Sequence, residues 1–133
     1  MTARLPWIIA GLAGAAIAGV LGTRHAAGVV VHPEPRPGVT SERVLSPSAV
    51  LNTPGAAEAY AAARSVPHVL DGVHCYCECA NHFGHRSLLT CFESDHGSRC
   101  DICMGEATLA MKVASQGGSL DVVRRAIDQR FGS

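Results

Sequence analysis

The chain has 133 residues, enough for one small domain, and its 11 Lys and Arg match its 11 Asp and Glu. A formal charge of zero lacks the basic excess of a nucleic-acid binder, so no nucleic-acid partner is expected. With only six aromatics, any core must be built mainly from Leu, Val, Ile and Ala.

Residues 1–24 read as a signal peptide or a membrane anchor helix. From Leu5 to Thr23 there is no charged residue, and Arg4 and Arg24 flank the stretch. Nineteen helical residues span about 28 Å, close to the bilayer hydrocarbon thickness. The competing reading is a cleaved signal, with Arg4 before the apolar Trp7–Ala15 run and Ala16-Ile17-Ala18 as the small-residue cleavage site. Gly11, Ala15 and Gly19 fit a close helix-packing face, or simply the small-residue richness of signals. Both readings put the remainder outside the cytoplasm, periplasmic or extracytoplasmic. An uncleaved helix would hold it at the inner membrane with the N-terminus inside.

Residues 25–53 read as a flexible Pro-rich linker. Five of the seven prolines fall between His32 and Pro54, and apolar periodicity is slight. Proline lacks an N–H and fixes φ, so an extended tether is expected.

Residues 54–133 read as the folded unit, a Cys/His-rich helical domain. Thr53 is placed to cap and Pro54 to open a helix through the Ala-rich AAEAYAAAR. Val66, Val69, Leu70 and Val73 recur at i, i+3, i+4, i+7 and lead into the cysteine loop. Ser87 is placed to cap a turn carrying Leu88, Leu89 and Phe92. Asp101 caps a helix over Ile102–Ser115 that Gly117-Gly118 ends. Ser119 caps the last helix, whose Leu120, Val123, Ile127 and Phe131 share a face, with Asp121–Arg125 and Arg124–Asp128 as i,i+4 pairs opposite. No strand pattern is evident, so the fold class is all-α: a small helical domain around a Cys/His-rich loop, behind an apolar helix and a Pro-rich tether.

All six cysteines lie between Cys75 and Cys103. Cys75, Cys77 and Cys79 alternate, so in extended backbone their thiols share a face. Cys100 and Cys103 form C-x-x-C at a helix start, where the dipole favours thiolate. Cys91 lies between, and His85 and His96 add imidazoles beside Gly84 and Gly97. The metal reading takes Cys75, Cys77, Cys79, Cys91, Cys100 and Cys103 as thiolate ligands and His85 and His96 as imidazole ligands. Such a set suits a transition metal, copper as Cu(I) or zinc, or an iron–sulfur cluster. Only one C-x-x-C is present, so a two-knuckle zinc ribbon is not matched.

The disulfide reading starts from export and an even cysteine count. A bridge inside C-x-C is strained. Without one, each of Cys75, Cys77 and Cys79 pairs with Cys91, Cys100 or Cys103, leaving six of the fifteen connectivities. A redox dithiol at Cys100–Cys103 is the catalytic reading, but no strand precedes it as in thioredoxin-like folds, and no enzyme activity is expected. His82 reads as a solvated loop residue, His68 and His74 as surface groups, and His25 and His32 receive no role. The common expectation is that distant sulfurs meet in one knot, and that this knot, rather than an apolar interior, makes the C-terminal half fold.

These residues resemble a bacterial family named for its PCYCGC motif. The resemblance covers roughly Pro67 to Phe131. It rests on His74-Cys75-Tyr76-Cys77-Glu78-Cys79, Gly84-His85-Arg86-Ser87-Leu88-Leu89, Cys91-Phe92, His96-Gly97 and Cys100-Asp101-Ile102-Cys103. His74 replaces the motif proline and adds a candidate ligand; Glu78 replaces the glycine and removes a flexible position. The resemblance implies a small exported or membrane-anchored protein, many members being lipoproteins, and no reaction. No lipobox cysteine is present here, so the lipid anchor is not carried over. The expected function is extracytoplasmic metal binding, as Cu(I) handling or structural Zn. The alternative is a disulfide-stapled interaction module or accessory subunit of a membrane protein complex.

Overall fold

The computed structural model describes residues 30–132. The expected signal or anchor segment, 1–24, and residues 25–29 of the linker lie outside them. Among the described residues the regular structure is helical, with no strand and no helix long and apolar enough to cross a membrane. Five α-helices are present among the described residues: α1 Ala56–Ser65, α2 Pro67–Asp71, α3 Cys79–Phe83, α4 Asp101–Ser115 and α5 Leu120–Phe131. Short 3₁₀ turns fill the connections at Ser41–Arg43, Pro47–Val50, Leu88–Phe92 and Asp95–Arg99.

Helix α4 is the centre of the domain and packs against both α1 and α5. Both α1 and α4 bury alanines: Ala56, Ala59 and Ala63 of α1 and Ala107 and Ala110 of α4 are all buried. Without long side chains the two backbones approach, and the ordered side chains lose little rotamer entropy. On the other side Val123 and Ile127 of α5 are buried, with Leu120 and Phe131 half-buried, which is the face expected from the sequence. The rest of the core is Leu70, Val73, Leu88, Leu89 and an edge-on Tyr60–Phe92 pair at 4.9 Å.

Helix α4 ends at Ser115 as expected but starts one residue early, with Asp101 as its first residue rather than its cap. Cys100 is its N-cap, and Gly117 at φ +86° closes it, with the Gly118 N–H donating to Val113 O at 3.0 Å. Helix α1 starts later than expected. Gly55, at φ +76°, is its N-cap, because Thr53 and Pro54 form a preceding turn in which Ala56 N–H donates to Thr53 O at 3.1 Å. Ser87 flanks its turn without capping it; its hydroxyl donates to Asp71 instead, at 3.1 Å.

Three expectations need correction. The first is the linker. Residues 30–53 do not stand away from the domain but run along it, burying Val44 and Val50 in the core. Leu45 N–H donates to Phe92 O at 2.9 Å. Arg36 bonds the fully buried Asp71 carboxylate through its side chain and its backbone N–H, both at 2.7 Å, joined by Arg86 at 3.0 Å. His32 lies 3.0 Å from Asp128 and accepts from His74 N–H at 3.1 Å. Proline fixed the backbone of this segment, but side chains between the prolines dock it.

The second concerns α5. Arg124 does not pair with Asp128. It reaches Asp121 at 3.3 Å and spends its remaining donors on Gly72 O at 2.9 Å and Pro33 O at 2.8 Å, while Asp128 serves His32 and the Tyr76 hydroxyl. Tertiary carbonyls offer Arg124 a drier partner than a solvated neighbour on its own helix. The third concerns the interior: an apolar core exists, and the sulfurs form part of it, since Cys75, Cys79, Cys91 and Cys103 are all buried within the same cluster.

Candidate metal centre

The sulfurs converge, though not on a strand. Cys75 and Cys77 lie in a tight turn and Cys79 opens α3; the turn places Glu78 at φ 60°, ψ 20°, the left-handed region. Reversal of the chain at Glu78, rather than extended alternation, aims the three thiols inward. Cys103 comes from the first turn of α4, and Cys91 from the Leu88–Phe92 turn. Gly97 permits the approach of the 95–99 turn: a Cβ there would lie 2.8 Å from Cys91 O and 3.2 Å from the Tyr60 hydroxyl.

Two groups of ligand atoms result, each with all members within 4.8 Å of one another. One comprises Cys75, Cys77, Cys79, Cys91 and Cys103; the other Cys79, His85, Cys91 and His96. In the first, Cys75 lies 3.6 Å from Cys103 and 3.8 Å from Cys91. A tetrahedral metal with bonds of about 2.3 Å to sulfur holds its sulfurs about 3.8 Å apart. In the second, His96 Nε2 is 3.1 Å from Cys79 Sγ and His85 Nδ1 is 3.2 Å from Cys91 Sγ. The two imidazoles meet edge-on at 4.7 Å, beside the exposed Phe83.

Seven of the eight expected ligands are therefore brought together. Cys100 belongs to neither group: its Sγ accepts from Cys103 N–H at 3.5 Å, as the cap of α4. C-x-x-C at a helix start places the second thiol in the knot and leaves the first on the helix end. His82 is exposed on α3. Cys77 and Cys79 are disulfide-bonded, with Cα atoms 5.5 Å apart, and Cys75, Cys91, Cys100 and Cys103 are free thiols. The bridge lies inside C-x-C-x-C, so none of the six long-range connectivities is adopted.

Sequence reasoning missed Glu106. It is fully buried on α4, one turn after Cys103, and accepts from the Cys75 thiol at 3.0 Å and from Tyr76 N–H at 2.8 Å. Burial raises its pKa to about 7, against the lowering effect of those two hydrogen bonds. The available signal was its i+3 spacing from Cys103, which puts both on one helix face. The three buried free thiols, Cys75, Cys91 and Cys103, are held protonated. Cys75 is pushed up by its bond with Cys103, by burial and by the Glu106 charge, against a lowering bond from Cys91. One sulfur neighbour lowers Cys91 and one lowers Cys103, but the bond to the other neighbour and burial outweigh this and push both up. His85 is pushed down by burial and by His96, which keeps its imidazole neutral and its lone pair available.

A family model described as "protein of unknown function with PCYCGC motif" matches residues 40–133. The match begins well before Pro67 and so includes the docked segment that carries Val44 and Val50. No curated protein and no solved structure matches the chain.

Proposed function

We propose that this chain, which belongs to the PCYCGC-motif family, is an extracytoplasmic metal-binding protein whose Cys/His knot holds a thiophilic ion, Cu(I) or Zn(II). One observation carries the reading: Cys75, Cys91 and Cys103 are buried with their sulfurs within 4.8 Å of one another yet remain three unpaired thiols beside two imidazoles. A purely covalent framework has no use for unpaired buried sulfur or for His85 and His96. The buried sulfurs favour Cu(I), which prefers thiolate; the mixed sulfur–imidazole group equally suits Zn(II). The role is binding rather than catalysis, with no nucleic-acid partner. The N-terminal apolar segment would deliver the domain across the inner membrane or hold it there, N-terminus inside.

The Cys77–Cys79 bridge favours a second reading, a disulfide-stabilised interaction module or accessory subunit of a membrane complex. Elemental analysis of protein purified without added metal, paired with a thiol count under denaturing conditions, separates the two. A stoichiometric metal with four to six free thiols supports ligation. Absence of metal with four free thiols or fewer supports the module.

A further inference from the structure

We infer that the reduced protein holds two metal ions rather than one, in a dinuclear centre bridged by the Cys79 and Cys91 sulfurs. The inference rests on the metal-binding reading above and specifies its site. The two groups of mutually close ligand atoms intersect in Cys79 and Cys91 alone. A tetrahedral ion takes four ligands. Cys75 and Cys103 with the two shared sulfurs complete one tetrahedron, and His85 and His96 with the same two complete another. A single ion would strand either two buried thiols or two imidazoles already aimed at the shared sulfurs from 3.1 and 3.2 Å. Thiolate retains lone pairs after binding one ion, so it can bridge.

The count leaves Cys77 over. It is the half-buried member of the sulfur group and the partner of Cys79 in the disulfide. A disulfide sulfur carries no charge with which to bridge, so loading follows reduction. A dithiol reductant supplies two electrons and two protons, the Cys77–Cys79 bond breaks to two thiols, and the reductant closes its own disulfide. Each ligating thiol then releases its proton to solvent as the metal binds. The two positions differ in access. The all-sulfur position is enclosed by buried residues, while the imidazole position opens beside exposed Phe83 and half-buried His85 and His96. The outer ion therefore exchanges first.

The test is native mass spectrometry of the full chain, reduced with a phosphine, freed of it and titrated with Zn(II). Two ions per chain are expected, and fewer than two for the unreduced protein. The double variant His85→Ala, His96→Ala should hold one. Cys77→Ser should hold two without any reductant. Saturation of the reduced chain at one ion, or two ions in the unreduced wild type or in the double-histidine variant, overturns the dinuclear centre while leaving metal binding intact. No ion at all overturns both. Should the histidine variant fail to fold by circular dichroism, Co(II) in the reduced wild type decides. Two bridged Co(II) ions couple magnetically and lose most of their paramagnetic resonance intensity relative to one ion per chain. Full, uncoupled intensity at two ions overturns the bridge.

Discussion

Glu78 carries a backbone conformation that ordinarily belongs to glycine, at φ 60° and ψ 20°. A left-handed conformation costs an L-residue with a Cβ roughly 1–2 kcal/mol. The side chain recovers little of this, being exposed, with His82 3.7 Å away. Glu78→Gly should therefore stabilise the protein by about 1 kcal/mol, read from the denaturant midpoint at unchanged slope; a fall in stability would mean the turn is held by something other than this backbone preference. Asp71 gives a pH signature. Burial opposes its ionisation, but bonds from the Arg36 side chain and backbone and from Ser87 hold its pKa down at about 2. A carboxylate depressed in the folded state stabilises above its unfolded value of about 3.9, and that stabilisation disappears as pH falls towards 2. Thermal melts of the wild type between pH 5 and 2 should lose up to about 2 kcal/mol that an Asp71→Asn variant, weaker at neutral pH, does not lose over the same range. A parallel decline in the two proteins would remove Asp71 as the cause. Asp71 did not stand out in the sequence, and Glu78 did so only as a glutamate where the resembled motif has glycine, because a buried aspartate is written with an ordinary surface letter.

Among the elements, α4 and α5 were legible because their signals are local: an amphipathic face at helical spacing, a capping position, and a Gly-Gly stop. The start of α1 was misplaced by two residues because the Thr53–Ala56 turn used the capping signals first. The linker was misread for a different reason. Proline density reports backbone restriction, and nothing in it reports whether Val44, Val50 and Arg36 find partners elsewhere. The 95–99 turn shows how tightly such connections are set. Gly97 fits only because it has no Cβ, the nearest obstacle being a backbone carbonyl that cannot rotate away. Gly97→Ala should cost about 1–3 kcal/mol, visible as a fall in Tm of roughly 4–8 °C per kcal/mol in a domain of this size. Since Cys91 O is the atom struck, the same variant should bind metal more weakly. An unchanged melting curve would show that the turn has room the structure does not contain.

For the whole molecule, the sulfur knot and the apolar core are one object. Leu70, Leu88, Leu89, Phe92 and Ile127 are fully buried in the cluster that contains Cys75, Cys91 and Cys103. Metal is accordingly expected to add stability to a chain that already folds, rather than to create the fold. Ligand present at a thousand times its Kd contributes about 4 kcal/mol to the native state. Reduced protein stripped with a chelator should retain its helical circular dichroism at 25 °C and melt at a lower temperature than the loaded form. A stripped protein with the spectrum of a random coil would make the metal the organiser of the domain, as in small zinc fingers.

By itself the sequence determined the helical class, the extent of α4, the buried face of α5, and the convergence of cysteines and histidines. These follow from residue spacing along one chain, and spacing survives without coordinates. Tertiary structure alone decided that Cys79 and Cys91 are common to two ligand groups, that Cys100 caps a helix outside both, that Glu106 backs the knot, and that residues 30–53 close over the domain. Each of these depends on which segments far apart in the chain lie within a few ångströms, a matter settled by packing the whole core at once.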